Sequence, residues 1–194
     1  MKTRKAVVER KTTETDISLQ LNLDGQGRYQ IDTSIGFLDH MLTHLGKHSK
    51  IDLVVNAKGD LEVDAHHTVE DIGICLGQCL TKALGDKRGI ARFASSSVPM
   101  EDALANVSVD LSGRPNFVYN AQYRTDKIGD FDVECVEELL RSFSNNGLFN
   151  LHVNVPYGTN SHHIAESIFK ALGQALGAAI KITGKDIPST KGTL

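Results

Sequence analysis

The pattern His-His-x-x-Glu occurs twice in this chain, as His66-His67-Thr68-Val69-Glu70 and as His162-His163-Ile164-Ala165-Glu166, a separation of 162 − 66 = 96 residues. Imidazole nitrogens and carboxylate oxygens so grouped are a donor set for a divalent transition metal. The copies agree beyond these donors, since Gly77-Gln78-Cys79-Leu80 and Gly173-Gln174-Ala175-Leu176 each begin 77 − 66 = 173 − 162 = 11 residues after the first His. Apolar residues at Val69, Ile72, Leu76, Leu80 and Ala83, and at Ile164, Ile168, Leu172 and Leu176, recur at helical spacing and predict two equivalent helices in duplicated halves. Neighbouring residues on a helix point about 100° apart, so the two His of a pair should serve different ions. Glu70 and Glu166, three and four residues further on, share a face with both. The repeat predicts a paired metal site, against the competing reading of solvated or core histidines on amphipathic helices.

His40, on an earlier predicted helix, and His152, on the strand Leu151-His152-Val153-Asn154-Val155, complete a set of six His and two Glu. Divided evenly, that is three His and one Glu per ion, which leaves positions open on a metal that prefers six ligands and points to catalysis. Manganese, iron, zinc and nickel suit such donors about equally. His44 and His48 continue the face of His40 at intervals of four, as further ligands, proton donors or plain surface histidines. Lys170 follows Glu166 by four residues where the first half has Ile74, an asymmetry that suits one anionic substrate. Arg92, Arg114 and the tail Pro188-Ser189-Thr190-Lys191-Gly192 offer further donors to a phosphate, with ordinary surface charge as the alternative.

The elements that must position these residues follow from hydrophobic patterning. Ala6 to Thr12, Asp16 to Leu23 and Arg28 to Asp32 alternate as strands, with the turn-forming Asp24-Gly25-Gln26-Gly27 between the last two. A helix from Gly36 to Leu45, a strand from Ile51 to Asn56 and the His66 helix complete a βββαβα unit. The second half repeats it, with strands near Ala91 to Val98, Ala103 to Leu111 and Phe117 to Tyr123, a helix from Val133 to Phe143, a strand from Leu148 to Val155 and the His162 helix. The expected fold is α+β, a duplicated βββαβα unit with halves at 1–90 and 91–194, packed through their helix layers into one compact whole.

Composition narrows the function classes. The chain has 194 residues, 40% of them hydrophobic, and a formal charge of −3 with Lys and Arg dispersed, which leaves no electrostatic footprint for nucleic acid. It lacks the run of about twenty apolar residues that spans a membrane. The basic start Met1-Lys2-Thr3-Arg4-Lys5 leads into no apolar stretch, so a signal peptide is not expected and a cytoplasmic location is. Cys75 and Cys79 sit beside an apolar stripe and, with Cys135, read as core residues in a reducing compartment, a thiolate pair on a metal being the alternative.

Three segments together carry a family resemblance: Gly36-Phe37-Leu38-Asp39-His40-Met41, Asp64-Ala65-His66-His67-Thr68-Val69-Glu70-Asp71, and His162 through Ala171. The chain resembles the imidazoleglycerol-phosphate dehydratases of histidine biosynthesis from about Glu9 to Gly192. It departs at Ala65, where the family often has a second acidic residue, and at His44, where no histidine is required. Without room for the histidinol-phosphatase domain fused to some members, it resembles the monofunctional form.

The resemblance implies a hydro-lyase that converts imidazoleglycerol phosphate to imidazole acetol phosphate, with two manganese ions per active site and a 24-subunit assembly whose sites form between subunits. It implies His40, His66, His67, Glu70, His152, His162, His163 and Glu166 as ligands. Glu14 and His48 would lie near the reacting carbons, and Arg92, Arg114, Lys170, Ser189 and Lys191 at the phosphate. Binding the two ring nitrogens of the substrate to separate cations favours an imidazolate, whose electrons expel the adjacent hydroxyl through a diazafulvene-like intermediate. The neighbouring carbon then loses its proton to a base, assigned to Glu14 with His48 as partner. Two other classes fit the donors. One is a dinuclear phosphate-ester hydrolase, for which the tetrads lack an obvious bridging Asp. The other is a metal-storage or sensing protein, which has no use for Lys170 or the arginines.

Overall fold

A computed structural model describes residues 3–194. The first half comprises β1 (Lys5–Lys11), β2 (Thr15–Asn22), β3 (Tyr29–Asp32), α1 (Gly36–Ser49), β4 (Asp52–Gly59) and α2 (His66–Leu84). The second comprises β5 (Phe93–Met100), β6 (Ala103–Asp110), β7 (Asn116–Asn120), a short hairpin of β8 (Lys127–Ile128) and β9 (Phe131–Asp132), α3 (Glu134–Gly147), β10 (Asn150–Tyr157) and α4 (Ser161–Ala179). The two large sheets have the same order, β1-β2-β4-β3 and β5-β6-β10-β7. In each, the last strand pairs in parallel and the others antiparallel. The α+β duplication expected from the pattern is the fold.

Strand alternation aims one face of each sheet at the helices. Ile17, Leu19 and Leu21 of β2, and Ala105, Val107 and Val109 of β6, are buried, while Gln20 and Ser108 face out. Helix α2 lies on β1 and β2 and against α3; α4 lies on β5 and β6 and against α1. Each cross-half helix pair therefore joins the two layers, and one hydrophobic cluster runs through both halves.

Gly77 and Gly173, equivalent by the 96-residue offset, allow this approach. A Cβ at Gly77 would meet Asn146 C of α3 at 2.6 Å, and one at Gly173 would meet His48 Cβ of α1 at 2.9 Å. The glycines of the repeated Gly-Gln-x-Leu thus set the helix–helix spacing.

The duplication is not exact. From β2 to β6 the offset is 103 − 15 = 88 residues, and from α1 to α3 it is 134 − 36 = 98. The additional 98 − 88 = 10 residues enter between β7 and α3, where the β8–β9 hairpin lies. This hairpin is absent from the pattern-based reading, because two-residue strands carry no readable alternation. Other boundaries move by a few residues for local reasons. Strand β5 starts at Phe93 and not Ala91, since Arg92 has the left-handed φ of 77°, and α1 runs on to Ser49 before Lys50 caps it at φ 64°. Among the described residues no helix is long and apolar enough to cross a membrane.

Candidate metal centre

Both tetrads sit in the first turn of a helix, where backbone N–H groups lack intrahelical partners. Asn160 Oδ1 accepts from His162 N at 2.9 Å and His163 N at 3.2 Å, and Asp64 Oδ1 accepts from His66 N at 2.7 Å. These contacts anchor the chain as it enters each helix. Packing of α1 on α4 then sets His40 against Glu166. His40 Nε2 lies 3.1 Å and His162 Nε2 3.2 Å from Glu166 Oε2. Each of His40, His162 and Glu166 offers one ligand atom, all within 4.8 Å of one another, the only such group among the described residues.

Glu166 is buried and also pairs through Oε1 with Lys170 Nζ at 2.6 Å and with His44 Nε2 at 3.4 Å. Burial pushes its carboxyl up, but the Lys170 hydrogen bond, the His40 hydrogen bond and the charge of His44 outweigh it and hold the group at about 2. His44 Nε2 is 3.4 Å from His40 Nε2, and burial drives its ring down to about 4. An ionised carboxylate flanked by imidazoles suits a divalent cation, so the donors fit the implied metal. The His162 ring packs edge-on against Phe37 at 5.2 Å, and Phe37 against Phe131 of the hairpin, also at 5.2 Å. A cleft of about 800 Å³ opens between that hairpin, His40, His162 and residues Val63, Asp64 and Ala65.

The second His of each tetrad is oriented by a carboxylate. His67 Nδ1 lies 3.0 Å from Asp60 Oδ2, and His163 Nδ1 2.6 Å from Asp102 Oδ1. A carboxylate on Nδ1 selects the tautomer with a bare Nε2, the form that binds metal. The Asp60 hydrogen bond raises the His67 pKa. Asp102, in the β5–β6 turn, also accepts from Thr159 N and Oγ1 at 2.6 Å and from Asn160 N at 2.9 Å. Hydrogen bonds from Thr159 and His163 hold its carboxyl well below the usual range. The 88-residue offset pairs Asp102 with Glu14 in the β1–β2 turn, and Glu14 Oε2 stands 3.9 Å from His67 Nδ1. His66 Nε2 and Glu70 Oε2 are 4.0 Å apart and partly exposed. His152 lies elsewhere: on β10, Leu151 and Val153 point into the core and His152 out of the sheet. The sheet separates it from the helix layer, and its ring approaches Asn116 Nδ2 at 3.5 Å.

The cations proposed for a phosphate divide into two places. Arg92 clasps Asp110 through Nε at 2.7 Å and Nη2 at 3.1 Å, and its Nη1 donates to Pro188 O at 2.8 Å. Arg114 Nη1 makes a long contact of 3.5 Å to Ser112 O in the loop after β6. In the tail, Ser189 Oγ accepts from Lys191 N at 3.2 Å. Lys170 instead engages Glu166 and donates to Met100 Sδ at 3.2 Å. His48 stacks on His44 with ring centres 5.6 Å apart, and burial, then the Lys170 charge, lower its pKa.

With this geometry in place, residues 33–176 match the family described as imidazoleglycerol-phosphate dehydratase. The chain belongs to the imidazoleglycerol-phosphate dehydratase family. Proteins of that name from Bacillus licheniformis and Desulforudis audaxviator are 55% and 54% identical over 193 and 192 residues, covering 98% of this chain and 100% and 98% of theirs. The crystal structure of imidazoleglycerol-phosphate dehydratase from Staphylococcus aureus superposes with a TM-score of 0.84 at 38% identity, over 92% of this chain and 99% of that one. A Pyrococcus furiosus structure of the same family, in complex with (S)-C348, gives 0.84 at 36% identity, over 96% and 100%. The family match spans all eight ligand candidates together with His48, Arg92, Arg114 and Lys170, while Glu14, Ser189 and Lys191 lie outside its limits.

Asp60, Asp102 and the β8–β9 hairpin were not legible among the sequence motifs of this dehydratase-family chain. A signal existed for Asp102 alone, as the duplicate of Glu14. The three cysteines are free and buried. Burial raises Cys75 and Cys135 to about 11 and Cys79 to about 12, so all three stay protonated packing groups.

Proposed function

We propose that this chain is an imidazoleglycerol-phosphate dehydratase, a cytoplasmic hydro-lyase of histidine biosynthesis that forms imidazole acetol phosphate. The observation that carries the reading is the ionised, buried Glu166 between His40 and His162, in a chain of this family almost end to end. The halves 1–90 and 91–194 act as one duplicated unit. Two manganese ions per site would be held by His40, His66, His67, Glu70, His152, His162, His163 and Glu166. When bound they supply positive charge at the two nitrogens of the substrate ring, which favours the imidazolate.

The residues of the chain do the rest. Arg92, Arg114, Ser189 and Lys191 hold the phosphate, joined by Lys170, and so fix the glycerol carbons relative to the ring. Glu14, on an exposed turn beside His67, takes the proton from the carbon next to the one that loses its hydroxyl. His48, kept neutral by its burial, is its partner in proton transfer. Asp60 and Asp102 hold their histidines with Nε2 free. The outward position of His152 favours sites shared between subunits, as in a 24-subunit assembly.

The test is an NMR time course of metal-depleted protein with imidazoleglycerol phosphate, before and after manganese. Metal-dependent ketone without free phosphate is the expected result. Free phosphate would instead make the protein a phosphate-ester hydrolase, and bound metal without turnover a storage or sensing protein.

A further inference from the structure

Asp71 follows the candidate ligand Glu70 on α2 and is buried, yet its contacts lie with the β1–β2 turn. Its Oδ1 accepts from Arg10 Nε at 2.8 Å and its Oδ2 from Thr15 Oγ1 at 2.5 Å. Thr15 Oγ1 also lies 3.2 Å from Thr12 Oγ1. A carboxylate only accepts, so the Thr15 hydroxyl is committed to Asp71 and the Thr12 hydroxyl donates to Thr15. Thr12 Oγ1 in turn accepts from Glu14 N at 3.1 Å and from Thr15 N at 2.9 Å, and Thr12 N donates to Thr15 O at 2.9 Å. One directional chain therefore runs from the Glu14 backbone through two hydroxyls to a buried carboxylate, on the helix that carries His66, His67 and Glu70.

The other half of the duplication lacks this chain. With 10 + 88 = 98, 15 + 88 = 103 and 71 + 96 = 167, Arg10, Thr15 and Asp71 correspond to Val98, Ala103 and Ser167, all buried. Ser167 Oγ donates within α4, to Ile164 O at 2.8 Å. The fold therefore does not require an ion pair at this place, which small and apolar side chains fill equally well. What differs is how each turn is held. The Asp102 carboxylate ties its own turn to the start of α4, through Thr159 N, Thr159 Oγ1 and Asn160 N. Glu14, its counterpart, is half exposed, and the partner its carboxylate approaches is His67 Nδ1 at 3.9 Å. A base that takes a proton from substrate needs its oxygens free, so its anchor has to come from another residue. We propose that Asp71 is a positioning residue for Glu14, a buried anchor that fixes the backbone of the turn through Thr15 and Thr12 and leaves the Glu14 carboxylate free. This deepens the dehydratase reading and rests on its assignment of Glu14 as the base.

The experiment compares full-length wild type, Asp71→Asn, Thr15→Val, Thr15→Ser, Glu14→Gln and the double variant of Glu14→Gln with Asp71→Asn, with and without manganese. Amide hydrogen exchange over residues 12–16 should be at least about tenfold faster in Asp71→Asn and Thr15→Val, because the acceptor of the Glu14 N–H is no longer held. For imidazoleglycerol phosphate, kcat should fall about 10- to 100-fold in both, with KM within about threefold of wild type. Thr15→Ser, which restores the hydroxyl, should recover most of the loss. In the Glu14→Gln background, Asp71→Asn should lower kcat by less than about twofold, since a residue that acts through Glu14 has nothing left to position. A full further loss there, unchanged exchange, or unchanged kcat in the single variants overturns the proposal. Chelator competition should find manganese affinity in Asp71→Asn within about threefold of wild type. Metal loss large enough to account for the fall in kcat would make Asp71 a support of Glu70 and overturns the proposal as well. Should Asp71→Asn fail to fold, Thr15→Val, which keeps the Arg10–Asp71 pair, carries the same comparisons alone and with Glu14→Gln. Exchange is read without turnover, so a turn that loosens in Asp71→Asn, in a protein that makes no ketone, supports the anchoring of Glu14 and counts against the dehydratase reading alone.

Discussion

Asp102 and Glu14 occupy the same turn of the two halves, yet their surroundings separate their tasks. Asp102 accepts four hydrogen bonds, one of them from His163, and is thereby a fixed support for that ring. Among the described residues the Glu14 carboxylate accepts no comparable bonds and stands in solvent reach 3.9 Å from His67 Nδ1, as the proton-transfer role proposed for it requires. Asp102→Asn should therefore weaken metal binding by about 10- to 100-fold, as removal of a carboxylate behind a ligating imidazole generally does. Competition with a chromophoric chelator measures this, and wild-type affinity in the variant would sink the assignment. His44 and Glu166 both contribute to the acid sensitivity of the metal-free protein. His44 falls from 6.5 to about 4 on folding, so the unfolded chain binds its proton first; this contribution is complete above pH 6.5 and is lost as pH falls towards 4. Glu166 falls from 4.5 to about 2, so its contribution is complete above pH 4.5 and is lost towards pH 2. Both lower stability on acidification, in adjoining windows. His44→Leu should remove a slope of up to about 1.4 kcal/mol per pH unit between pH 6.5 and 4.5. Urea midpoints across that range in the presence of chelator decide it, and an unchanged slope would show that His44 is not the group responsible.

Helices α2 and α4 were legible in the sequence because each carries its candidate ligands, apolar stripe and packing glycine within a single segment. The Gly-Gln-x-Leu repeat marked them as equivalent, although not why glycine is needed, since Asn146 and Gly147 meet Gly77 only after the chain has folded. Replacing a helical Gly by Ala gains about 1 kcal/mol of helix propensity. At Gly77 that gain is overwhelmed, because the new methyl would strike α3 backbone at 2.6 Å and backbone cannot swing aside. Gly77→Ala should cost about 1–3 kcal/mol net, read as a lower urea midpoint. Gly173→Ala meets its nearest atom at 2.9 Å and should cost less; a stabilised Gly77→Ala would mean that α2 and α3 do not pack this closely. The β8–β9 hairpin was illegible for a different reason. Its strands are too short for a period, and its role rests on Phe131 reaching Phe37, 94 positions away in the chain (131 − 37 = 94).

At the scale of the whole molecule the proposed ligands fall into separate neighbourhoods. His40, His162 and Glu166 converge on the helix layer, whereas His152 looks out from the far side of the second sheet. The ligand candidates were picked out by residue type and spacing, but this division was not, because it depends on which face of β10 meets α4. One chain cannot carry His152 through its own sheet to its own tetrads, so a site that uses all eight residues must borrow His152 from another copy. That requirement can be tested without solving the assembly. His152→Ala and Glu166→Gln should each abolish turnover. Co-refolding the two in equal amounts with manganese should restore roughly a quarter of the sites, those in which a chain with intact His152 meets a chain with intact Glu166. Recovered ketone formation, absent from either variant alone and from the two mixed without refolding, is the expected outcome. A co-refolded assembly of wild-type mass with no recovery would mean that His152 and Glu166 do not meet across an interface, and would remove His152 from the metal centre.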